Sequence, residues 1–146
     1  MEVLTARLTP LVLVSAIALA GAGCRAREQR KPVFPVKGSV FVSGKPAEKA
    51  QVIFHPLSDP DPKTPKPTGE VAADGTFALG TYSAADGAPA GEYAVTVTWP
   101  QGDSPIGGDA DTGGDRLGNR YADPKTTKLR ARVNEAATDV PRFDLK

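Results

Sequence analysis

An alternation of large and small side chains runs from Tyr93 to Trp99 and constrains the fold more strongly than any other segment. A period of two residues is that of a β-strand, whose successive side chains point to opposite faces. The large face carries Tyr93, Val95, Val97 and Trp99, and the other face carries Ala94, Thr96 and Thr98. We expect the large face to form much of a core, with Trp99 pointing mostly inward.

Short apolar runs of the same kind recur along the chain and are separated by turn residues. They predict strands at 36–42, 50–55, 129–133 and 143–145, and Asp74-Gly75 predicts a hairpin with a type I′ turn within 71–79. The 15 glycines and 14 prolines also favour strands joined by turns over a helical domain. The sequence therefore predicts an all-β fold, a seven-stranded antiparallel β-sandwich.

The segment 56–67 reads PLSDPDPKTPKP and is too rich in proline to join a β-ladder. We expect an exposed, extended connection between two strands. A proline-rich segment can also be a docking ligand, but nothing in the sequence points to the aromatic-lined partner that such a ligand needs.

An uncharged apolar run, LVLVSAIALAGA, occupies residues 11–22. It is shorter than the roughly 20 residues that a helix needs to cross a bilayer, but it suits the apolar region of a secretion signal. Arg7 gives the preceding residues a modest positive charge, and small residues at 20–23 provide a cleavage zone. We expect residues 1–23 to be a signal peptide and the mature chain to lie outside the cytoplasm.

Cys24 is the only cysteine in the chain and follows this run closely. Ala22 and Gly23 ahead of it resemble a bacterial lipobox, in which the cysteine thiol receives diacylglycerol, with acyl chains such as palmitate, and becomes the N-terminus. We expect lipidation of Cys24 to anchor the protein to a membrane of the cell envelope. The outer membrane is favoured because Arg25, rather than aspartate, follows the cysteine.

Gly21 departs from the lipobox, which usually has leucine or a similar apolar residue at this position. Ala20-Gly21-Ala22 also fits ordinary signal cleavage, which would release a soluble secreted or periplasmic protein starting at Gly23. Both alternatives place the protein outside the cytoplasm.

The residues after the signal divide into a charged tether, 24–32, and one domain, 33–146, whose length of roughly 110 residues suits a single core. The formal net charge of +1 gives no long-range field that would attract nucleic acid, so we expect no nucleic-acid partner.

The chain has one histidine, His55, at a predicted strand end beside Pro56. A metal site built on several imidazoles is therefore excluded, and a serine triad would have to use His55. No G-x-S-x-G sequence is present. We interpret His55 as an ordinary strand-edge residue and expect neither enzyme activity nor a cofactor.

The loop 103–123 is acidic, and its weak calcium candidates are Asp109, Asp111 and Asp115. The pattern departs from an EF-hand at its fifth position, Gly113, and at its twelfth, Arg120. We expect a solvated loop without a metal, and calcium binding is the alternative.

A set of motifs in fixed order carries a family resemblance: VKGSV at 36–40, GKPA at 44–47, AQVIF at 50–54, DGTFAL at 74–79 and GAPAGEYAVTV at 87–97. Over roughly 33–146 the chain resembles the carboxypeptidase regulatory-like, transthyretin-like domains, most of all those of small exported lipoproteins of planctomycete-type bacteria. The resemblance implies a prealbumin-like sandwich and no defined activity.

These observations predict a cell-envelope lipoprotein whose non-catalytic β-sandwich has a structural or protein-interaction role, with an unidentified envelope protein or polymer as partner. The alternative is an envelope ligand-binding module for carbohydrate or another polymer, with calcium as a candidate aid to binding. An exposed aromatic platform would distinguish the two, since sugar rings stack on Trp or Tyr. Trp99, Tyr82 and Tyr121 are the side chains to inspect.

Overall fold

The computed structural model describes residues 30–59, 61–102 and 114–146. Over these ranges the chain forms β-strands and no helix, which confirms the predicted all-β class. The strands are β1 (Val36–Val42), β2 (Lys45–Pro46), β3 (Gln51–Pro56), β4 (Thr68–Glu70), β5 (Thr76–Ala78), β6 (Gly91–Thr98), β7 (Arg130–Val133), β8 (Thr138–Asp139) and β9 (Phe143–Leu145).

The strands form two sheets. One has four strands in the order β4-β3-β6-β7, all antiparallel. The other has five strands and is built on β1, which pairs antiparallel with β2 and β5 and parallel with β8 and β9. The prediction of an entirely antiparallel fold is therefore wrong in the five-stranded sheet. The alternation of side chains shows which face of a sheet a residue occupies, but it does not show whether the strand runs parallel or antiparallel to its neighbour. A long connection allows either direction.

The described ranges contain nine strands where seven were predicted. Three of the nine strands, β2, β4 and β8, were not predicted, and each has only two or three residues, too few for a period to be read. The first arm of the predicted hairpin, before Asp74, forms no strand. The predicted hairpin at 71–79 is also corrected, because β4 lies upstream of it and pairs with β3, whereas β5 pairs with β1 in the other sheet.

The turn between β4 and β5 is tight but is not type I′. The N–H of Gly75 donates to the Ala72 carbonyl at 2.9 Å, and the N–H of Ala72 donates to the Thr76 carbonyl at 2.7 Å. Gly75 has a φ of 87°, whereas Asp74 has no positive φ, and a type I′ turn needs both. The Asp74 carboxylate instead accepts the Thr76 N–H at 2.9 Å, a local bond that stabilises a turn without left-handed backbone at aspartate.

Both sheets contribute to one hydrophobic core, so the arrangement is sandwich-like. Phe54 of β3 packs against Phe77 of β5 in the other sheet, with ring centroids 6.5 Å apart, and against Tyr93 of β6 at 5.5 Å. Gly38 of β1 lies opposite Phe77 in the register. A Cβ at Gly38 would lie 2.5 Å from Phe77 Cζ and 2.5 Å from Val140 Cγ2, so the absent side chain is what lets the aromatic ring pack there.

Strand β6 is buried on both faces from Tyr93 to Val97, which corrects the expectation of a large inward face and a small outward one. Thr96 is only 3% exposed. Strands β3 and β7 lie on either side of β6, and the His55 side chain contacts Thr96. Trp99 follows the strand end and is half-buried against the core rather than mostly inward.

Strand direction defines two ends of the fold. Strands β1 and β6 both start at one end of the fold, which we call the tether end. Segment 30–35 joins the domain there, and the connection 57–67 and the loop 80–90 lie at the same end. The opposite end, the far end, carries the turns at 43–44 and 72–75 and the residues that follow β6. Within the described part of the chain, no helix is long and apolar enough to span a membrane.

Candidate functional site

The predicted site residues are only partly described by the structure. Cys24, Asp109 and Asp111 lie outside the described residues. Asp115, the third calcium candidate, is described and lies at the far end beside Trp99.

The carboxylate of Asp115 accepts three backbone hydrogen bonds. Its Oδ1 accepts the N–H of Trp99 at 2.7 Å and the N–H of Leu117 at 3.1 Å, and its Oδ2 accepts the N–H of Asn119 at 2.8 Å. Both oxygens are thus already bonded within the chain, where they tie the turn residues 116–119 to the end of β6. No cluster of three or more histidine, cysteine, aspartate or glutamate side chains able to hold a metal occurs in ranges 30–59, 61–102 and 114–146.

The indole of Trp99 is held from two sides. Its Nε1–H donates to the Glu48 carbonyl at 2.8 Å, and the guanidinium of Arg116 lies 5.0 Å from the ring centroid. A cation at that distance is attracted by the negative face of the ring. One ring face of Trp99 is therefore covered by the protein's own arginine.

Tyr82, at the tether end, is held in a similar way by the last residues of the tether. The guanidinium of Arg30 lies 5.2 Å from the ring centroid, and the phenol oxygen accepts the backbone N–H of Lys31 at 3.0 Å. Lys31 Nζ also forms an ion pair with Asp59 at 3.3 Å. A hydrogen bond from Thr64 and then one from Lys31 lower the pKa of Asp59 below its usual value. A shallow depression of about 240 Å³ opens beside these groups.

The loop that carries Tyr82 is shaped by Asp86, which sequence reasoning missed. Burial works to raise the pKa of Asp86, but hydrogen bonds from the N–H groups of Thr81, Tyr82 and Ser83 outweigh it and lower the pKa. Gly87 follows with a φ of 106°. The Asp86-Gly87 pair was the available signal, since aspartate before glycine often closes a turn.

Tyr121, the third candidate aromatic, packs against the core, and its phenol oxygen accepts the N–H of Lys146 at 3.4 Å. Each of the three candidate rings thus makes contacts within the described chain.

His55 lies on β3 and faces β6. Its Nε2 is 2.9 Å from Thr96 Oγ1, and burial, followed by the charge of Lys66, lowers the pKa of His55 below 6.5. A neutral imidazole bonded to a threonine resembles a general base and its hydroxyl only superficially. The Thr96 side chain is buried, with 3% of the residue exposed. This pair joins β3 to β6.

No protein-family profile matches the chain, and no curated protein is similar to it. Among solved structures, a DUF3823 family protein from Parabacteroides merdae is similar over 77% of this chain at 17% sequence identity, with a TM-score of 0.36. The alignment covers 46% of that protein, so this chain spans less than half of its length.

Proposed function

We propose that the protein is an exported lipoprotein of the cell envelope, anchored by Cys24, whose domain has a structural or protein-interaction role. The domain is proposed to be of the carboxypeptidase regulatory-like, transthyretin-like kind, on the motifs quoted above. The signal-like run at 11–22 and the cysteine that closely follows it support export and anchoring.

The state of the aromatic side chains supports an interaction role over carbohydrate binding. A sugar-binding platform needs a ring face open to solvent. Arg116 lies over one face of Trp99, and Arg30 lies over one face of Tyr82, so a pyranose ring that stacked on either of these faces would have to displace a guanidinium group. This arrangement is the observation on which the choice between the two roles rests.

The anchor is tested by metabolic labelling with a fatty-acid probe. The full-length protein should incorporate the probe and partition into detergent, and Cys24→Ser should lose both properties. Ser43→Ala, at the far end, is the matched control and should keep both. Recovery of intact, unlabelled secreted protein starting at Gly23 would show that Cys24 is not the anchor.

The interaction role is tested by crosslinking in the native envelope. We expect a crosslinked protein partner, and we expect purified envelope polysaccharide not to bind. Binding of polysaccharide that is lost in Trp99→Ala, with the domain still folded, would instead favour the ligand-binding module.

A further inference from the structure

The two sheets are joined at one lateral edge of the sandwich and are open at the other. At the joined edge, Thr68 of β4 and Gly80, which follows β5, exchange backbone hydrogen bonds of 2.9 and 2.8 Å. At the other edge, among the described strands, β7 pairs with β6 alone, and β8 and β9 pair with β1 alone. A groove of about 620 Å³ opens there, lined by residues of both β7 and β8.

The outer side of β7 presents backbone groups that no described strand uses. The N–H of Val95 donates to the Leu129 carbonyl at 3.0 Å, so these two residues are a hydrogen-bonded pair of the antiparallel ladder. Such pairs recur at every second residue, so Ala131 bonds to β6, whereas Arg130 and Arg132 turn their N–H and C=O groups away from it. An extended chain is the structure whose own N–H and C=O groups match this spacing.

The groove beside this edge has apolar walls. Leu57, Tyr93 and Val140 line it together with Ala131 of β7. Leu57 is 51% exposed, and it is the one large hydrophobic side chain in the described ranges that is exposed to this degree. A strand added beside β7 would direct every second side chain to the face of the sheet that Ala131 occupies. Apolar side chains suit those positions, because Ala131 belongs to the core.

The other face of β7 carries two arginines with different neighbours. In the register of β6 and β7, Arg132 lies opposite Glu92 and Arg130 lies opposite Ala94. Neither guanidinium forms an ion pair with a carboxylate of the described residues. Glu92 and Asp139 also line the groove, so its charges balance and attract neither sign at long range. A charge preference is confined to the position directly opposite Arg130 on an added strand, where β6 offers no competing acid.

A second copy of the chain is a poor occupant of this edge. Pairing β7 with β7 of another molecule, with the buried faces aligned, would put Arg130 or Arg132 opposite an arginine or Lys128. Like charges directly opposite each other destabilise a strand pair, and charged side chains on an edge strand protect against self-association. The edge therefore favours a strand of different sequence.

We infer, resting on the proposed interaction role, that the free edge of β7 is a docking site for an extended peptide segment of a partner protein. The segment adds to the four-stranded sheet in the antiparallel direction that its other strands follow. Its backbone pairs with Arg130 and Arg132, its apolar side chains face the groove beside Ala131, and a carboxylate lies opposite Arg130. Main-chain hydrogen bonds give affinity in strand addition, and alternate side chains give selectivity.

The docking site is tested with the synthetic peptide acetyl-TVEVT-amide, whose central glutamate would lie opposite Arg130. Isotope-labelled full-length protein is purified in detergent, and nuclear magnetic resonance follows amide hydrogen exchange with and without the peptide. In the free protein we expect the N–H groups of Arg130 and Arg132 to exchange fast and that of Ala131 slowly. The peptide should slow exchange at both arginines by about tenfold or more, because their N–H groups become hydrogen-bonded.

Variant peptides and proteins separate the contributions. N-methylation of the central glutamate removes an N–H that faces β7 and should abolish the protection. The peptide acetyl-TVKVT-amide should bind several-fold more weakly, and Arg130→Glu should reverse this preference. Leu57→Ala should weaken binding of both peptides. The matched charge reversal Lys45→Glu, at an exposed position of the far end, should leave both affinities unchanged. Circular dichroism checks that each variant is folded.

Three results would contradict strand addition. The first is no binding of acetyl-TVEVT-amide, the second is binding that leaves exchange at Arg130 and Arg132 unchanged, and the third is equal binding of the N-methylated peptide. Protection of the same two N–H groups that grows with protein concentration, without any peptide, would show that the edge pairs with a second copy and would also overturn the inference.

Crosslinking in the native envelope separates this inference from the proposed interaction role. A photo-reactive benzoylphenylalanine replaces Asn134, which lines the groove, or Ala73 at the far end, and both positions are exposed. A protein crosslink at Asn134 that excess acetyl-TVEVT-amide suppresses would support the docking site. Protein crosslinks at Ala73 alone would overturn the docking site and leave the interaction role intact, whereas no protein crosslink at either position would overturn both.

Discussion

The surroundings of His55 give the stability of this domain a dependence on pH below neutrality. Burial and the charge of Lys66 lower its pKa in the folded protein below 6.5, the value for the unfolded chain. Between the two pKa values the unfolded chain binds more protons, so the free energy of unfolding falls as the pH drops from above 6.5 toward the folded pKa. Above pH 6.5 the stabilisation is fully present.

The prediction is a loss of stability in urea between pH 7 and pH 5 that is smaller in His55→Gln, which keeps a hydrogen-bonding side chain but does not titrate there. The aspartates with lowered pKa values, Asp59, Asp74 and Asp86, have usual values of 3.8 and contribute to a further loss at more acidic pH in both proteins. Because His55 is the only histidine, its imidazole resonance gives the pKa directly. A resonance that titrates above 6.5 would contradict the argument.

Gly38 is a position where the absence of a Cβ atom allows neighbouring side chains to pack closely. In Gly38→Ala the new Cβ meets Phe77 and Val140 at 2.5 Å, so both side chains must move or β1 must shift away from them. Overpacking of this kind costs about 1–3 kcal/mol, and chemical denaturation should show a loss of that size. Ser39→Ala, the next residue of β1, is the control and should change stability by less than about 0.5 kcal/mol. Equal effects would show that Phe77 does not pack over the glycine.

At the scale of elements, the sequence predicted strands wherever the alternation was long enough. Ala50, Val52 and Phe54 fall on one face as predicted, and all three are buried. Ala131 and Val133 of β7 are buried while Arg130 and Arg132 are exposed, again as the alternation requires. The burial of Thr96 was not predictable, because it depends on which residues cover the second face of the sheet.

Asp115, which bonds to the end of β6, can be tested for a calcium-binding role against a structural role, because the two roles predict different effects of its substitution. Asp115→Ala removes the acceptor of three N–H groups and should destabilise the domain by about 1–2 kcal/mol, with Asp115→Asn, which keeps one carbonyl oxygen, in between. Millimolar calcium should leave the melting temperature of the native protein unchanged. The exposed Asp139→Ala is the control. A calcium-dependent rise in melting temperature that disappears in Asp115→Ala would restore the metal site.

At the scale of the whole molecule, the all-β class could be predicted from the sequence, but the direction in which the strands pair could not. The short C-terminal strand β9 was predicted from Phe143 and Leu145, yet its parallel pairing with β1 was not. That pairing is set by where the long connections bring the chain back, and the residues of β9 are equally compatible with either direction. The contacts of Arg30 with Tyr82 and of Arg116 with Trp99 could not be predicted either. Arg30 and Tyr82 are distant in the chain, and the position of Arg116 over the Trp99 ring depends on the turn to which Arg116 belongs.

A single core shared by both sheets makes a prediction for the whole molecule. Phe54 is fully buried and contacts aromatic rings in both sheets, Phe77 in one and Tyr93 in the other. Phe54→Ala should cost about 3–5 kcal/mol, a large share of the 5–15 kcal/mol typical of a domain. Leu57→Ala, three residues later and 51% exposed, should cost less than about 1 kcal/mol.

If the core unfolds as one unit, two spectroscopic signals from different parts of the domain must show the same unfolding transition. Trp99 fluorescence reports the far end, and far-ultraviolet circular dichroism reports both sheets. We expect the two urea transitions of Phe54→Ala to coincide and to shift by the same amount from those of the native protein. Separate transitions would mean that the two sheets unfold independently, and the rigid positioning of the far end opposite the tether end would then lose its physical basis.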